Sequence, residues 1–127
     1  MTLARQLDTL RQSADGCRLA AFGDLGASIV LRSSSAGSHP QEYLDALCQQ
    51  ARRGFLMLDA AVQAGPEAGR PPADDILMLA PGEARLCIRA PDGSGDALLC
   101  VCSDAGTAAR LAAPARALLA RLGGAAG

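Results

Sequence analysis

The residues best suited to chemistry in this sequence are its five cysteines, of which Cys100 and Cys102 stand one residue apart. Such a pair can be a soft-metal site, a redox pair, or two small apolar residues in a buried strand. Two cysteines with this spacing in one strand are about 6.6–7 Å apart at Cα, at or beyond the limit for a disulfide. Because free cysteine is among the most buried residue types, core packing is the favoured interpretation, and a redox or metal role stays open.

A third cysteine, Cys87, lies on the neighbouring predicted strand. If a loop covers residues 91–96, Cys87 lies opposite Cys100 and Arg85 lies opposite Cys102. We therefore expect three thiols on one face of the sheet, bordered by arginines. Three cysteines without a nearby histidine do not enclose a tetrahedral zinc ion, so the spacing argues against a structural zinc site.

The other candidate groups give weaker signals. His39 is the single histidine, and no pattern brings a cysteine to it, so we expect a capping or solvated residue rather than the base of a Cys-His dyad. The acidic pairs, Asp74 with Asp75 and Asp92 with Asp96, stand at loop ends, where Asp favours turn geometry. No glycine-rich stretch matches a phosphate-binding motif. The sequence therefore predicts no catalytic residue, no cofactor and no metal.

Composition bounds the class of protein. The 127 residues suit a single domain, 1–127, and half of them are apolar. A net charge of −1 and an aromatic content of 2% predict no nucleic-acid partner and no attraction to an anionic membrane. No apolar run reaches the length of a membrane span, and the cysteines are odd in number and irregularly spaced, so we expect a cytoplasmic protein.

Periodicity predicts eight elements. An amphipathic helix opens the chain in "TLARQLDTLRQSADG", and "CRLAAFGDLGASIVLRSS" is a hairpin whose "GDLG" turn can supply a positive φ. A helix follows over residues 40–64, with Ser38 and Gln41 as a capping box. The stretches "DDILMLA", "RLCIRA" and "ALLCVCS" are strands, and a last helix runs from about 105 to 122. Pro114 is a conflict inside that helix, which is either kinked there or regular only beyond it.

These elements predict an α+β fold in the order α-β-β-α-β-β-β-α. The hairpins imply a five-stranded antiparallel sheet, and strands that are apolar on both sides require helices on both faces.

The long helix carries the strongest hint of function. Beyond Gly54 it is apolar nearly all round over residues 55–62, so it must be covered on more than one side. A chain this short has little to cover it with, and a second subunit is the natural supplier.

A polar stretch precedes this apolar part of the helix, at Gln49, Gln50, Arg52 and Arg53. The simplest interpretation is a solvated helix face. The alternative is a docking patch for a partner, since Arg is a common interface hot spot.

The opening helix and "GCRLAAFGDLGASIVLRSS" resemble the first helix and hairpin of the Roadblock/dynein-light-chain family. The stretch "ILMLAPGEARLCIRAPDGSGDALLCVCSDAGTAARLAAPARALLARL" resembles the family's three-stranded meander and closing helix. The resemblance covers nearly the whole chain and lies in topology rather than in a catalytic signature. Two departures from the family pattern are the long linker "AGPEAGRPPA" and the proline at position 114.

The resemblance implies a profilin-like homodimer in which the long helices pack together and the third strands extend one sheet. The implied dimer residues are Phe55, Leu56, Met57, Leu58, Leu77 and Leu79. Bacterial relatives commonly regulate small Ras-like GTPases, so the resemblance implies a non-enzymatic module that activates or scaffolds such a GTPase. The alternative is a type III secretion-type chaperone that binds an effector segment, a class with three strands between its first two helices where we predict two.

Overall fold

The computed structural model describes residues 2–66, 68–70 and 73–126 and confirms the predicted order of elements. The linker predicted over residues 65–73 lies partly outside the described residues. The helices are α1 (Leu3–Gln12), α2 (Gln41–Ala64) and α3 (Ala105–Ala126). The strands are β1 (Cys17–Asp24), β2 (Ile29–Ser35), β3 (Asp75–Ala80), β4 (Glu83–Arg89) and β5 (Asp96–Cys102).

The five strands form one antiparallel sheet in the order β2-β1-β5-β4-β3. One face packs against α1 and α3 in a core that includes Leu7, Leu98 and Leu111. The other face packs against α2 in a second core that includes Leu47 and Phe55. Both faces of the central strands are therefore buried, which explains why β5 is a continuous run of apolar residues.

The register between β4 and β5 differs by one residue from the prediction. Cys87 pairs with Leu99, and Leu86 pairs with Cys100. The loop ends one residue earlier than expected, since the Ala90 N–H donates to the Asp96 carbonyl at 2.8 Å and Ala90 therefore lies opposite Asp96 rather than Ala97. A slip of one residue moves a side chain to the opposite face of the sheet. The predicted cluster of Cys87 with Cys100 and Cys102 is therefore wrong, and Arg85 lies opposite Val101 rather than Cys102.

The ends of the helices follow short-range hydrogen bonding. Thr2 Oγ1 accepts a hydrogen bond from the Arg5 N–H and caps α1. The capping box predicted at the start of α2 is wrong: Pro40 precedes the helix with no side-chain cap. The Gln41 side chain instead donates to the Val30 carbonyl at 3.1 Å and so ties the start of α2 to β2.

The turn between β1 and β2 does not use glycine for its positive φ. Ser28 has φ 57°, whereas Gly23 lies within β1 at a bulge. Asp24 Oδ1 accepts hydrogen bonds from the backbone N–H groups of Gly26 and Ala27 and closes the turn. The polar side chain therefore shapes the turn where a glycine was expected.

Helix α3 is continuous through Pro114. Its start is capped by Asp104, whose Oδ1 accepts a hydrogen bond from the Thr107 N–H at 2.7 Å. None of the helices in the described part of the chain is long and apolar enough to cross a membrane.

Candidate interaction surface

The most exposed large apolar side chains of α2 lie just beyond Gly54. Leu56 is 58% exposed and Met57 is 73% exposed, while Leu58 is half-buried. Phe55 faces the sheet and is only 3% exposed, so it belongs to the core of this chain rather than to its surface. The helix is therefore apolar on both sides at this point, and only one side is covered by the chain itself.

Strand β3 carries a second pair of exposed apolar side chains. Leu77 is 45% exposed and Leu79 is 72% exposed. Because side chains alternate along a strand, these two point away from Ile76 and Met78, which pack against the core beneath α2. In the described residues β3 has one neighbour, β4, so its outer edge has unpaired backbone groups.

Exposed apolar side chains lie on both sides of this open edge. Helix α2 lies close over β3, since a Cβ added at Gly54 would stand 2.8 Å from the Ile76 Cδ1. Met57 follows Gly54 by one turn and therefore flanks the edge on the α2 side of the sheet, while Leu77 and Leu79 flank it on the other side. We call Met57, Leu77, Leu79 and the open edge of β3 the edge surface.

The polar residues predicted as a docking patch fall into two groups. Gln49, Arg52 and Arg53 are exposed. The Gln50 side chain is engaged within the chain, where its Oε1 accepts a hydrogen bond from Arg85 Nη1 at 2.7 Å. Three side chains are thus available to a partner, and the fourth joins α2 to β4.

The exposed arginines differ in their surroundings. Arg53 stands four residues before Met57, so it shares that residue's side of the helix. Arg52 borders a groove of about 200 Å³ between α2 and the loops around residues 25–26 and 93–95. Leu56, Asp59 and Arg89 also line this groove.

Arg89 holds α2 to the sheet from within this groove. Its guanidinium donates two hydrogen bonds to the Asp59 carboxylate, at 2.9 and 2.7 Å, and lies 4.3 Å from the centroid of the Phe55 ring. The hydrogen bond from Arg89 holds the pKa of Asp59 below its ordinary value, against the effect of burial. The same bond raises the pKa of Arg89.

Sequence reasoning missed this ion pair and the bond from Arg85 to Gln50. A signal was available, because Arg85 and Arg89 both lie on the α2 side of β4, at positions four apart in a strand. With the register one residue off, Arg85 and Arg89 were instead assigned to the face of Cys100 and Cys102.

The cysteines lie in two separate groups. Cys17, Cys100 and Cys102 belong to the core beneath α1 and α3, while Cys48 and Cys87 belong to the core beneath α2. All five are buried free thiols. Burial raises the pKa of Cys48 to about 11 and also raises that of Cys87. Among the described residues no group of three or more His, Cys, Asp or Glu side chains is arranged to hold a metal ion.

The remaining candidates take part in local structure. His39 Nδ1 lies 2.7 Å from Ser35 Oγ, and the His39 ring stacks on Tyr43. Asp75 pairs with Arg116 at 2.7 Å, and Asp92 accepts a hydrogen bond from the Ser94 N–H. That backbone hydrogen bond lowers the pKa of Asp92. The structure does not bring these groups together as a general acid and base.

The chain matches no protein-family model and no curated protein by sequence. Its structure is similar to a Roadblock/LC7 domain from Streptomyces avermitilis, with 16% identity, coverage of 96% of this chain and 95% of that one, and a TM-score of 0.72. It is also similar to the gliding protein MglB from Thermus thermophilus, with 19% identity, coverage of 92% and 84%, and a TM-score of 0.71.

A third similar structure is MglB from Myxococcus xanthus, with 10% identity, coverage of 96% and 94%, and a TM-score of 0.72. The likeness extends over nearly the whole of each chain, which agrees with the topology expected from the sequence. This chain therefore has the roadblock fold: a five-stranded antiparallel sheet with α1 and α3 on one face and α2 on the other.

Proposed function

We propose that this chain is a non-catalytic, homodimeric interaction module that regulates or scaffolds a small Ras-like GTPase or its signalling complex. The observation that carries the proposal is the edge surface, which combines exposed apolar side chains with an open strand edge. The roadblock fold supports it, because the resemblance noted in the sequence implies dimers and GTPase partners.

A second copy of the chain is the occupant that best suits the edge surface. A two-fold axis beside β3 would pair two edge strands and would place the α2 helices side by side. The three exposed apolar residues of the edge surface would then lose contact with water together. Such closure also removes the edge as a template for aggregation. Phe55 would contribute indirectly, by supporting the helix from the core.

Sedimentation velocity tests the dimer. Met57→Glu and Leu79→Glu each place a charge on the edge surface, and both are expected to convert the protein to a monomer while its circular dichroism is unchanged. Leu31→Glu is the matched control, because Leu31 is exposed on β2 at the opposite edge of the sheet. Wild-type protein that sediments as a monomer at all concentrations would refute this part of the proposal.

The exposed arginines give the GTPase proposal its residues. In the proposed dimer Arg53 lies beside the interface, since it shares a helix face with Met57. Arg52 faces the groove beside Asp59, away from that interface. We therefore assign partner docking mainly to Arg52 with Gln49, while Arg53 lies at the rim. Gln50 acts through its bond to Arg85.

A pull-down with the small GTPase encoded nearest to this chain's gene tests the docking assignment. Binding is expected to be stronger to the GTP-loaded form and to weaken in Arg52→Ala more than in Arg53→Ala. Arg121→Ala, an exposed position on α3, serves as the control. Equal binding by all variants would remove the arginine patch, and no binding to either nucleotide form would remove the GTPase partner.

Hydrolysis assays test the absence of catalysis. The chain alone is expected to release no phosphate from GTP, and any change in rate should require the GTPase. Phosphate release by the chain alone would contradict the proposal.

A cytoplasmic location remains a prediction from the cysteine pattern.

The chaperone alternative has less support. Two strands, β1 and β2, lie between α1 and α2, which agrees with the roadblock order rather than with the three-strand pattern of secretion chaperones. Neighbouring genes for a secretion apparatus, together with binding of an unfolded effector segment, would favour it instead.

A further inference from the structure

Three cysteines meet at the junction of β1 and β5, beneath α1 and α3. Cys17 is the first residue of β1 and pairs with Cys102, the last residue of β5, next to a bulge that separates this pair from the Leu19–Val101 pair. Cys100 lies two residues before Cys102 on β5, and its side chain faces the same core. The Cys17 Sγ donates a hydrogen bond to the Leu19 carbonyl at 3.5 Å within the same core.

We propose that Cys17 and Cys102 form a reversible disulfide when a peroxide oxidises the folded protein, which makes this junction a thiol modification site. Residues directly opposite each other in an antiparallel pair have Cα atoms about 4.5–5.5 Å apart, within the range of about 4.4–6.8 Å that a disulfide spans. The backbone is held in register beyond the pair, where the Ser103 N–H donates to the Gly16 carbonyl at 2.9 Å.

The surroundings assign a different part to each sulfur. The neighbouring Cys100 and Cys102 side chains lower the pKa of Cys17, and the positive charge of Arg11 acts in the same direction. Interaction with Cys17 and burial raise the pKa values of Cys100 and Cys102. The first proton lost from the cluster is therefore that of Cys17, and the thiolate is the form that reacts with peroxide.

Access to solvent favours the same order of events. Cys17 is 7% exposed, whereas Cys100 and Cys102 are sealed in the core. Gly16, immediately before it, is exposed and has φ +91°. A small oxidant thus reaches Cys17 first, and Cys102 resolves the product.

The chemistry balances with one peroxide. The Cys17 thiolate attacks one oxygen of hydrogen peroxide, the O–O bond breaks, and hydroxide leaves with the proton that Cys17 had released. The Cys102 sulfur then attacks the resulting sulfenic acid at Cys17. The S–O bond breaks, and the departing hydroxide takes the Cys102 proton. Two thiols and one peroxide give one disulfide and two waters, and the sulfurs supply the two electrons.

Other pairings are disfavoured by position. Cys100 and Cys102 are about 6.6–7 Å apart at Cα because they alternate along one strand. Cys48 and Cys87 lie on the opposite face of the sheet, beneath α2. They provide internal controls, because both are buried thiols in the same chain.

Peptide mapping of the full-length reduced protein tests the proposal. The native protein is treated with hydrogen peroxide, remaining thiols are alkylated in denaturant, and the protein is digested with trypsin without reduction. Peptide 12–18 carries Cys17, and peptide 90–110 carries Cys100 and Cys102. The expected result is a loss of two hydrogens from the intact mass and a link between these peptides at Cys102, both reversed by dithiothreitol.

Variants separate this chemistry from general oxidation. Cys17→Ser and Cys102→Ser are each expected to lose the linked peptide, whereas Cys48→Ser should keep it, with circular dichroism to check folding. The wild-type map decides the matter even if a variant does not fold. Three results would each overturn the proposal. They are Cys17 that is still free to be alkylated when Cys48 or Cys87 has been oxidised, a link through Cys100, and a link that forms only in denatured protein.

Discussion

Arg89 lies between the sheet and helix α2. Its guanidinium faces the Phe55 ring and donates to the Asp59 carboxylate, so one side chain of β4 contacts two successive turns of α2. A planar guanidinium can stack and donate at the same time, which a lysine could not do equally well. This contact fixes the part of the helix that displays Leu56 and Met57.

Replacing Asp59 tests this anchor and its pH dependence. Asp59→Asn removes a partner whose pKa is lowered in the folded state from an ordinary value of 3.8. The ion pair therefore stabilises the folded protein fully at pH values above the ordinary pKa of Asp59. This stabilisation is lost as the pH falls through the lower pKa that Asp59 has in the folded state. Because the Asp59 side chain is 35% exposed, solvent screens the pair, and the variant should lose less than about 1 kcal/mol at neutral pH.

Urea unfolding at fixed protein concentration measures this loss. At a pH below the lowered pKa the variant and the wild type should be equally stable. Asp15→Asn, at an exposed position in the turn after α1, is the control and should have no effect at either pH. A difference in stability between the variant and the wild type that persists at the lower pH would show that Asp59 stabilises the fold by packing rather than by its charge.

At the residue scale the sequence predicted that Cys100 and Cys102 are buried, but not which residues lie opposite them. Burial of Cys100 and Cys102 followed from the apolar strand around them. Their neighbour was wrong, because the register depends on which loop residue closes the hairpin, and the Ala90–Asp96 backbone bond has no strong sequence signal. Cys17 was missed because the pairing of β1 with β5 is non-local in sequence.

The bulge in β1 is the element most sensitive to a single methyl group. A Cβ at Gly23 would lie 2.9 Å from the Ile29 carbonyl oxygen and 3.4 Å from the Cys48 sulfur. Backbone on one side and the α2 core on the other leave no room to move. The glycine is thus required by close approach, not by a positive φ.

Gly23→Ala should therefore lower the free energy of unfolding by about 1–3 kcal/mol, as overpacking generally does. Thermal and urea unfolding measure the loss. Gly37→Ala is the matched control, because a Cβ at Gly37 meets nothing within 4 Å, and it should be neutral within about 0.5 kcal/mol. Equal stability of Gly23→Ala and wild type would contradict the close approach.

Helix α3 tolerates Pro114 at a cost. The ring removes one N–H from the helix and crowds the carbonyl four residues earlier, yet the helix continues on both sides. Pro114→Ala should raise the free energy of unfolding by about 1–3 kcal/mol, measured by urea unfolding. Ala117→Pro, at an exposed position one turn later, should lower it. A destabilised Pro114→Ala would show that the proline has a packing role.

Elements were predicted more reliably than their ends. The order, the antiparallel sheet and the extent of α2 followed from periodicity and turn residues. The capping box at Ser38 failed because Pro40 and the Gln41 bond to β2 determine the start of α2. The turn at Ser28 was missed because Asp24 supplies its hydrogen bonds locally.

For the whole molecule, the proposed dimer makes stability depend on concentration. If folding and association are coupled through the edge surface, the thermal midpoint of the wild type should rise with protein concentration. Met57→Glu should remove that dependence, and Leu31→Glu should keep it. Differential scanning calorimetry over a range of concentrations makes the comparison. A midpoint independent of concentration in the wild type would contradict coupled association.

The edge surface was only partly accessible from sequence. Helical spacing places Phe55 on the apolar stripe of α2 and leaves Leu56 and Met57 off it, which predicted an uncovered side. Leu77 and Leu79 came from the family resemblance rather than from periodicity. The structure adds that Met57 flanks β3 on one face of the sheet and Leu77 and Leu79 flank it on the other, and that Leu56 lines the groove beside Arg52.

The division of the helices between the two faces has a practical consequence for experiments. Helices α1 and α3 share one side, and α2 occupies the other by itself. A fluorophore, affinity tag or fused protein attached before α1 or after α3 would stand on the side away from α2. Partner-binding measurements on immobilised or labelled protein can therefore leave the groove beside Arg52 unobstructed.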